Sequence, residues 1–201
     1  MLDAILCAAI ANRRKIATPL LRSDQVPEYI RNPIYMKKIG DWLVPCCSNP
    51  ITAANTNQSE FITKRLALEH SSALSVDSRN IVSTSSHTYK GYRVPLRINT
   101  CDRVVWFVLA NKRSMSGTLR GINSTGVKRS IGYGRVAEWE VEDCADDYSL
   151  VANVSGIGNV LMRQVPIEND FGPVIGWKRG FKAVRWPYFH PGNFIDVMEP
   201  C

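Results

Sequence analysis

Residues 92–100, YRVPLRINT, alternate strictly: Tyr92, Val94, Leu96 and Ile98 face one way, Arg93, Pro95 and Arg97 the other. A period of two is the signature of a half-buried strand, and a proline that cannot donate to a ladder confines that strand to a sheet edge. After a turn at Cys101 and Asp102, the run RVVWFVLAN (103–111) is apolar nearly throughout, as a strand buried on both faces would be. The pair predicts an antiparallel hairpin. Helical spacing recurs at Leu2, Ile5, Leu6, Ala9 and Ile10, with Asp3 in the first turn and Arg13, Arg14 and Lys15 past the end, where their charges suit the helix dipole. KRSMSGTLRGI (112–122) predicts a second, short helix with Gly117 inside it. Residues 17–87 break at Pro19, Pro27, Pro33, Pro45 and Pro50 and read as an irregular insertion, with a short helix around SEFITKRLALEH (59–70). A strand at Ala137–Glu142 follows from apolar residues alternating with Glu138, Glu140 and Glu142. A hairpin turning at Gly156 and Gly158 is expected in SLVANVSGIGNVLMRQVP. The tail from Gly176 to Phe194 is rich in aromatic and basic residues.

The order helix, insertion, strand, strand, helix, strand would become the βαββαβ of a ferredoxin-like α+β fold if one strand preceded the first helix. That strand is missing from the sequence as numbered. Either the numbered start is internal to the natural reading frame, or another segment completes the sheet. The expected organisation is a ferredoxin-like domain over residues 1–148 carrying the insertion at about 17–87, with a C-terminal hairpin and tail, 149–201, packed on it.

A 45% hydrophobic fraction with 21% charged residues suits a chain that buries a real core. No apolar run approaches the roughly 20 residues needed to cross a bilayer, and the N-terminus lacks the order of a secretory signal, so a soluble cytoplasmic protein without a membrane partner is expected. Six cysteines, Cys7, Cys46, Cys47, Cys101, Cys144 and Cys201, contain no CxxC pair. Structural zinc needs ligands paired at short spacing, so thiols in a reducing compartment are expected, with no metal and no cofactor. The net charge is +7 with a pI near 9.2. Six acids (Glu138, Glu140, Glu142, Asp143, Asp146 and Asp147) crowd one segment, which leaves the rest more basic than the total and points to a polyanion. A solvated basic surface is the plain alternative.

TGVKRSIGYGRV (125–136) concentrates glycines and cations. Gly132, Gly134 and Ala137 have the spacing of a dinucleotide fingerprint, but that motif follows a strand and opens a helix, whereas this one follows a helix. No GK[ST] is present, so a P-loop is excluded as well. What remains is a loop in which Gly126, Gly132 and Gly134 take positive φ, Lys128, Arg129 and Arg135 face phosphates, and Tyr133 stacks on a base. A tight turn with solvated charges stays open beside it.

A loop of the form G-x-K-R-x-x-G-Y-G-R-V after the second helix resembles the glycine-rich signature of the RAMP superfamily of CRISPR-associated proteins, and the chain is most similar to the Cas-five-like subunit of type IV systems. LDAILCAAIA resembles that family's first helix, TYKGYRVPLRI its basic strand, and RQVPIE with RWPYFHP its C-terminal segment. The resemblance implies a non-catalytic, prokaryotic subunit that holds the 5′ handle of CRISPR guide RNA and caps a filament of Cas-seven-like backbone subunits in an RNA-guided, DNA-targeting effector complex. It further implies contacts with the large subunit and with target DNA near its flanking motif. Gly126, Lys128, Arg129, Gly132, Tyr133, Gly134 and Arg135 are the implied RNA-binding residues, with Lys90, Arg93 and Arg97 second. Two alternatives stand. RAMP relatives that process repeat RNA are metal-independent endoribonucleases, for which His70, His87 or His190 would be the general base. A generic RRM-type binder would carry stacking aromatics on a central strand, and Trp106 and Phe107 lack the flanking pattern, reading better as core.

Overall fold

A computed structural model describes residues 1–16, 29–53, 56–65, 90–126, 129 and 132–201. They form an α+β fold of two helices and small, mostly antiparallel sheets. No helix among them is long and apolar enough to cross a membrane. The chain divides into two compact units, Met1–Ile51 with Val105–Cys201, and Thr52–Val104.

In the first unit, helix α1 spans Leu2–Arg13 and buries Leu2, Asp3, Leu6, Cys7 and Ala11; of the expected face Leu2 and Leu6 are buried, Ile5, Ala9 and Ile10 are half-buried, and Asp3 lies inside rather than at the solvent. Helix α2, Lys112–Leu119, starts where the Asn111 side chain accepts the Ser114 N–H at 3.0 Å, satisfying an amide the first turn leaves unpaired. Strands β1 (Met36–Ile39) and β2 (Trp42–Pro45) form a hairpin over Gly40, whose φ of +56° suits glycine. Ile51–Thr52 is β3, and it pairs with β6, Val104–Val105. The hairpin expected around Gly156 and Gly158 is formed by β7 (Val151–Val154) and β8 (Gly158–Leu161). Strand β9 is Val165–Pro166; β10, Val174–Ile175, lies parallel to β8. Strand β11 (Trp177–Ala183) pairs with β12 (Phe194–Pro200), which also pairs with β9.

Two large apolar clusters result, beside a small one of Cys7, Ala11 and Ile30. Ile39, Val44 and Cys46 pack with Leu150, Leu161, Val165, Val184, Val197 and Met198. Leu2, Leu6, Ile34 and Cys47 pack with Met115, Leu119 and Ile122. Residues 34–47, inside the stretch expected to be an insertion, thus supply core to both.

The second unit is built on a ribbon of β4 (Thr56–Lys64) and β5 (Tyr92–Thr100), paired over nine positions from Thr56↔Thr100 to Lys64↔Tyr92. Three expectations are corrected here. Residues 92–100 pair with 56–64 and not with 103–111. Residues 59–64 are strand, not helix, because Phe61 and Ile62 find a cross-strand partner in β5; residues 66–70 lie outside the described ones. RVVWFVLAN is strand only at its start, because its other backbone groups are taken by two segments around it: Tyr35 N–H donates to the Leu109 carbonyl at 2.9 Å, Ser48 N–H to that of Phe107 at 2.9 Å, and Leu109 N–H to that of Cys46 at 3.0 Å. Nor is it buried on both faces, since Leu109 is 44% exposed while Trp106, Val108 and Ala110 turn to the helix-lined core. A fourth correction concerns 137–142, which is extended but unpaired; Trp139 and Val141 pack on that same core and dictated the alternation. Pro95 sits on a strand with one ladder, as an edge proline should.

A charged network lies inside the first unit. Arg163 is fully buried. Its Nη1 donates to the carbonyls of Pro45 (2.8 Å) and Cys47 (2.9 Å), and its Nη2 to the Val184 carbonyl (3.0 Å) and the Tyr188 hydroxyl (2.9 Å). Tyr188 in turn donates to Asp3 Oδ2 at 2.5 Å, and Asp3 is also buried. Burial alone would push the guanidinium down, and Tyr188 and Asp3 hold it above its ordinary value. One side chain thereby joins the end of β2, the start of α1 and the tail.

All six cysteines are free thiols, with Cys7, Cys46 and Cys47 buried. Burial pushes the Cys7 thiol from 9.0 up to about 12 and that of Cys47 up to about 11. An unfolded chain ionises these thiols near 9.0, whereas the folded chain keeps their protons for two to three further pH units. Their contribution to stability is therefore whole below pH 9.0 and lost as pH climbs toward about 12. A thiol-reactive dye at pH 8 should label Cys144 and Cys201 fast and Cys7, Cys46 and Cys47 only on unfolding. Mass mapping of labelled peptides checks this, and fast labelling of Cys47 would contradict the buried assignment.

Candidate nucleic-acid interface

The glycine-rich loop begins where α2 ends. Ile122 is buried and its N–H donates to the Leu119 carbonyl at 2.8 Å. Trp139 Nε1 donates to the Ile122 carbonyl at 2.8 Å, and the Trp139 ring lies 6.1 Å from that of Trp106. This fixes both ends of the loop to the core. Val136 N–H donates to the Asn123 carbonyl at 2.9 Å, Thr125 N–H to that of Gly134 at 2.8 Å, and Ser124 and Arg135 form an antiparallel bridge. The loop is thus a closed tongue rather than a helix-to-strand turn.

Its glycines are not equivalent. Gly126, Gly132 and Gly134 all have positive φ, at +77°, +96° and +66°. A Cβ on Gly134 would sit 2.9 Å from the Thr125 carbonyl carbon and closer still to its oxygen, so this glycine exists to close the tongue. A Cβ on Gly126 or Gly132 would meet nothing within 4 Å, so those two faces are open to solvent. Arg129 and Arg135 are exposed, and Tyr133 is half-buried. Lys128 lies outside the described residues.

Lys90, Arg93 and Arg97 belong to the second unit, where all three are exposed and Arg93 stacks over the Phe61 ring at 4.0 Å. The expected residues therefore fall into two groups, a tongue in one unit and a ribbon in the other.

A further basic feature of the first unit carries no motif of its own. Arg13, Arg14 and Arg31, with Asn32, Ser114 and Thr118, line a hollow of about 370 Å³, and none of the described residues in its wall is acidic. Arg13 is held there because its Nη2 donates to the Thr118 carbonyl at 3.0 Å, over Gly121, where a Cβ would lie 3.1 Å from the guanidinium carbon. The cations beyond the end of α1 are the visible signal, and in sequence they read as partners of the helix dipole; Arg31 arrives from 31 alone and carries no pattern.

The aromatic tail divides. Tyr188 serves the Arg163 network, and Trp186 packs beside Cys7 and Ala11. Trp177, Phe181 and Phe189 are exposed. His190 is buried, its Nδ1 accepting the Gly192 N–H at 3.1 Å. His70 and His87 lie outside the described residues. Trp106 packs on the helix-lined cluster as a core residue, whereas Phe107 is half-buried and lies edge-on to Tyr148 at 5.2 Å. The acids at 138–147 are exposed; Lys112 pairs with Asp143, and Asp147 accepts the Ser149 N–H at 2.9 Å.

A scan of the chain against protein-family models finds no match, and a search among curated proteins finds no significant relative.

Proposed function

We propose that the chain is a non-catalytic RNA-holding protein, with the tongue at 125–134 taking the phosphates of a single-stranded segment. The observation that carries this is the geometry of the tongue. Backbone bonds at Thr125 and Val136 close it, and the Gly132 N–H is spent on the Arg129 carbonyl at 3.1 Å within it, so two glycines at positive φ leave side-chain-free surface beside exposed Arg129 and Arg135. A phosphate can approach such a surface to backbone distance. The hollow walled by Arg13, Arg14 and Arg31 adds cations in the same unit.

Within this reading, the motif's resemblance to the RAMP superfamily makes the RNA the 5′ handle of a CRISPR guide and the chain the Cas-five-like cap of a type IV effector complex. Cas-seven-like subunits and the large subunit would be its protein partners, and a ferredoxin-like arrangement its fold. The tongue's position after α2 supports the assignment; strand order does not enter it, because residues 92–100 pair with 56–64.

The test is binding of a labelled single-stranded repeat RNA by the full chain. Arg129→Glu with Arg135→Glu should weaken binding about 100-fold, since each charge-assisted hydrogen bond to a phosphate is worth roughly 1.5 kcal/mol or more. Unchanged affinity would overturn the proposal. Site-specific cleavage of the RNA, abolished in His87→Ala or His190→Ala, would make the chain an endoribonuclease instead.

A further inference from the structure

The hollow walled by Arg13, Arg14 and Arg31 has a charge that the fold alone does not explain. Among the described residues no carboxylate pairs with any of the three, and the side chains of Arg14 and Arg31 make no hydrogen bond. Three uncompensated guanidiniums around one concavity repel one another, which costs the empty fold stability. Helix ends account for two of them. Arg14 caps α1, and Arg13 gives one donor to the Thr118 carbonyl in the last turn of α2, keeping its other N–H groups for something else. Arg31 lies on neither helix. The seat of Arg13 is also specific to this sequence, since residue 121 must be glycine for the guanidinium to lie there.

We infer that this hollow is a binding site for a compact oligophosphate, the di- or triphosphate group of a free nucleotide or of an inorganic phosphate chain. Guanidinium forks match phosphoryl oxygens two at a time and stay charged when a ligand covers them. Several forks on one concave wall suit an ion whose charges sit on adjacent phosphoryl groups. A nucleic-acid backbone spreads its charges along a strand, one per nucleotide, and is better served by an extended track. The volume of about 370 Å³ is near the lower end of the range for small-ligand sites, roughly 300–1,000 Å³, and admits such a group. Ser114 adds an exposed hydroxyl to the cationic wall, while the Thr118 hydroxyl is already engaged, donating to the Ser114 carbonyl at 2.9 Å. Ile10 and Pro33, both half-buried, form the apolar part of the wall, where the ring system of a nucleoside would lie. No described residue of the tongue lines the hollow, so the inference does not depend on the RNA reading.

The experiment is calorimetric titration of the full chain, in EDTA at fixed ionic strength, with orthophosphate, inorganic tripolyphosphate and ATP, beside polarisation of a labelled single-stranded RNA. Tripolyphosphate should bind about tenfold tighter than orthophosphate or better, because it engages more than one fork. ATP a further tenfold tighter, on the order of 1.4 kcal/mol, would identify a nucleotide with its ring on Ile10 and Pro33; equal affinities would identify the phosphate chain itself. Either result upholds the site. Arg31→Gln should weaken tripolyphosphate about tenfold while the ligand-free variant melts no lower than the parent, since removing a like charge relieves repulsion. Gly121→Ala, which displaces the Arg13 guanidinium, should weaken it as well and leaves every charge in place. Tripolyphosphate binding no better than orthophosphate, or unchanged affinity in both variants, would overturn the assignment, as would displacement of bound tripolyphosphate by single-stranded RNA, which would make the hollow part of an RNA track. Single-stranded RNA bound without tripolyphosphate would sink this inference alone; the reverse would sink the tongue reading alone.

Discussion

Arg163→Ala should lower the stability of the first unit by about 3–5 kcal/mol, because truncating a buried cation strands the groups it serves inside the core and removes the charge that faces buried Asp3 through Tyr188. At this chain length that is a fall in melting temperature of roughly 6–20 °C. The destabilisation has two parts. Four acceptors, the carbonyls of Pro45, Cys47 and Val184 and the Tyr188 hydroxyl, lose their donor inside the core. Asp3 then faces Tyr188 with no cation behind it. Arg163→Lys should recover little, since an ammonium cannot span acceptors that a planar fork reaches on two sides. The decisive measurement is a double-mutant cycle by thermal or urea unfolding. Asp3→Asn with Arg163→Met should cost less than the sum of the single changes by more than about 1 kcal/mol, because removing both charges leaves neither stranded. Strict additivity would show that Tyr188 does not couple them.

Arg163 also marks where the sequence stops being legible. In LMRQVPIE nothing distinguishes a buried arginine from a solvated one, since what buries it is three carbonyls and a hydroxyl that arrive from residues 45, 47, 184 and 188. Local signals did better where the structure itself is local. Helix α1 lies where its apolar spacing puts it, α2 begins at Lys112 as expected and ends at Leu119, and the β7–β8 hairpin turns on its glycines. Strand identity survived at 92–100, but its partner did not, because alternation specifies a face and says nothing of which chain segment supplies the ladder. Residues 137–142 show the converse: Trp139 and Val141 alternate with glutamates because they anchor the tongue to the helix-lined core, and an extended segment needs no ladder to do so. For the site, glycine and arginine content at 125–135 was visible at once. The division of labour among the three glycines was not, since it depends on Thr125 facing Gly134 across a bridge that sequence spacing does not announce.

That division gives the second large effect. Gly134→Ala should open the tongue, whereas Gly126→Ala and Gly132→Ala should each leave it closed. All three substitutions force a Cβ into positive φ, which costs about 1 kcal/mol for a residue that tolerates it poorly. Only at 134 does the new methyl also run into backbone, the Thr125 carbonyl, which cannot step aside as a flexible side chain would. The Thr125–Gly134 hydrogen bond and the Ser124–Arg135 bridge must then break, and Arg135 leaves its place beside the open glycine faces. On the proposed function, Gly134→Ala should therefore cost at least tenfold in single-stranded RNA affinity with global unfolding unchanged, since the tongue's ends stay pinned by Ile122 and Trp139. Gly126→Ala and Gly132→Ala should reduce affinity by a smaller factor and only through crowding of the phosphate, which predicts that their effect persists at high salt while that of Arg129→Glu does not. Amide hydrogen exchange at Thr125 and Val136 reports the tongue directly. Fast exchange at both in Gly134→Ala, with protection kept in Gly126→Ala, is the expected pattern; protection retained in Gly134→Ala would mean that the backbone can accommodate the methyl and that the tongue closes by other bonds.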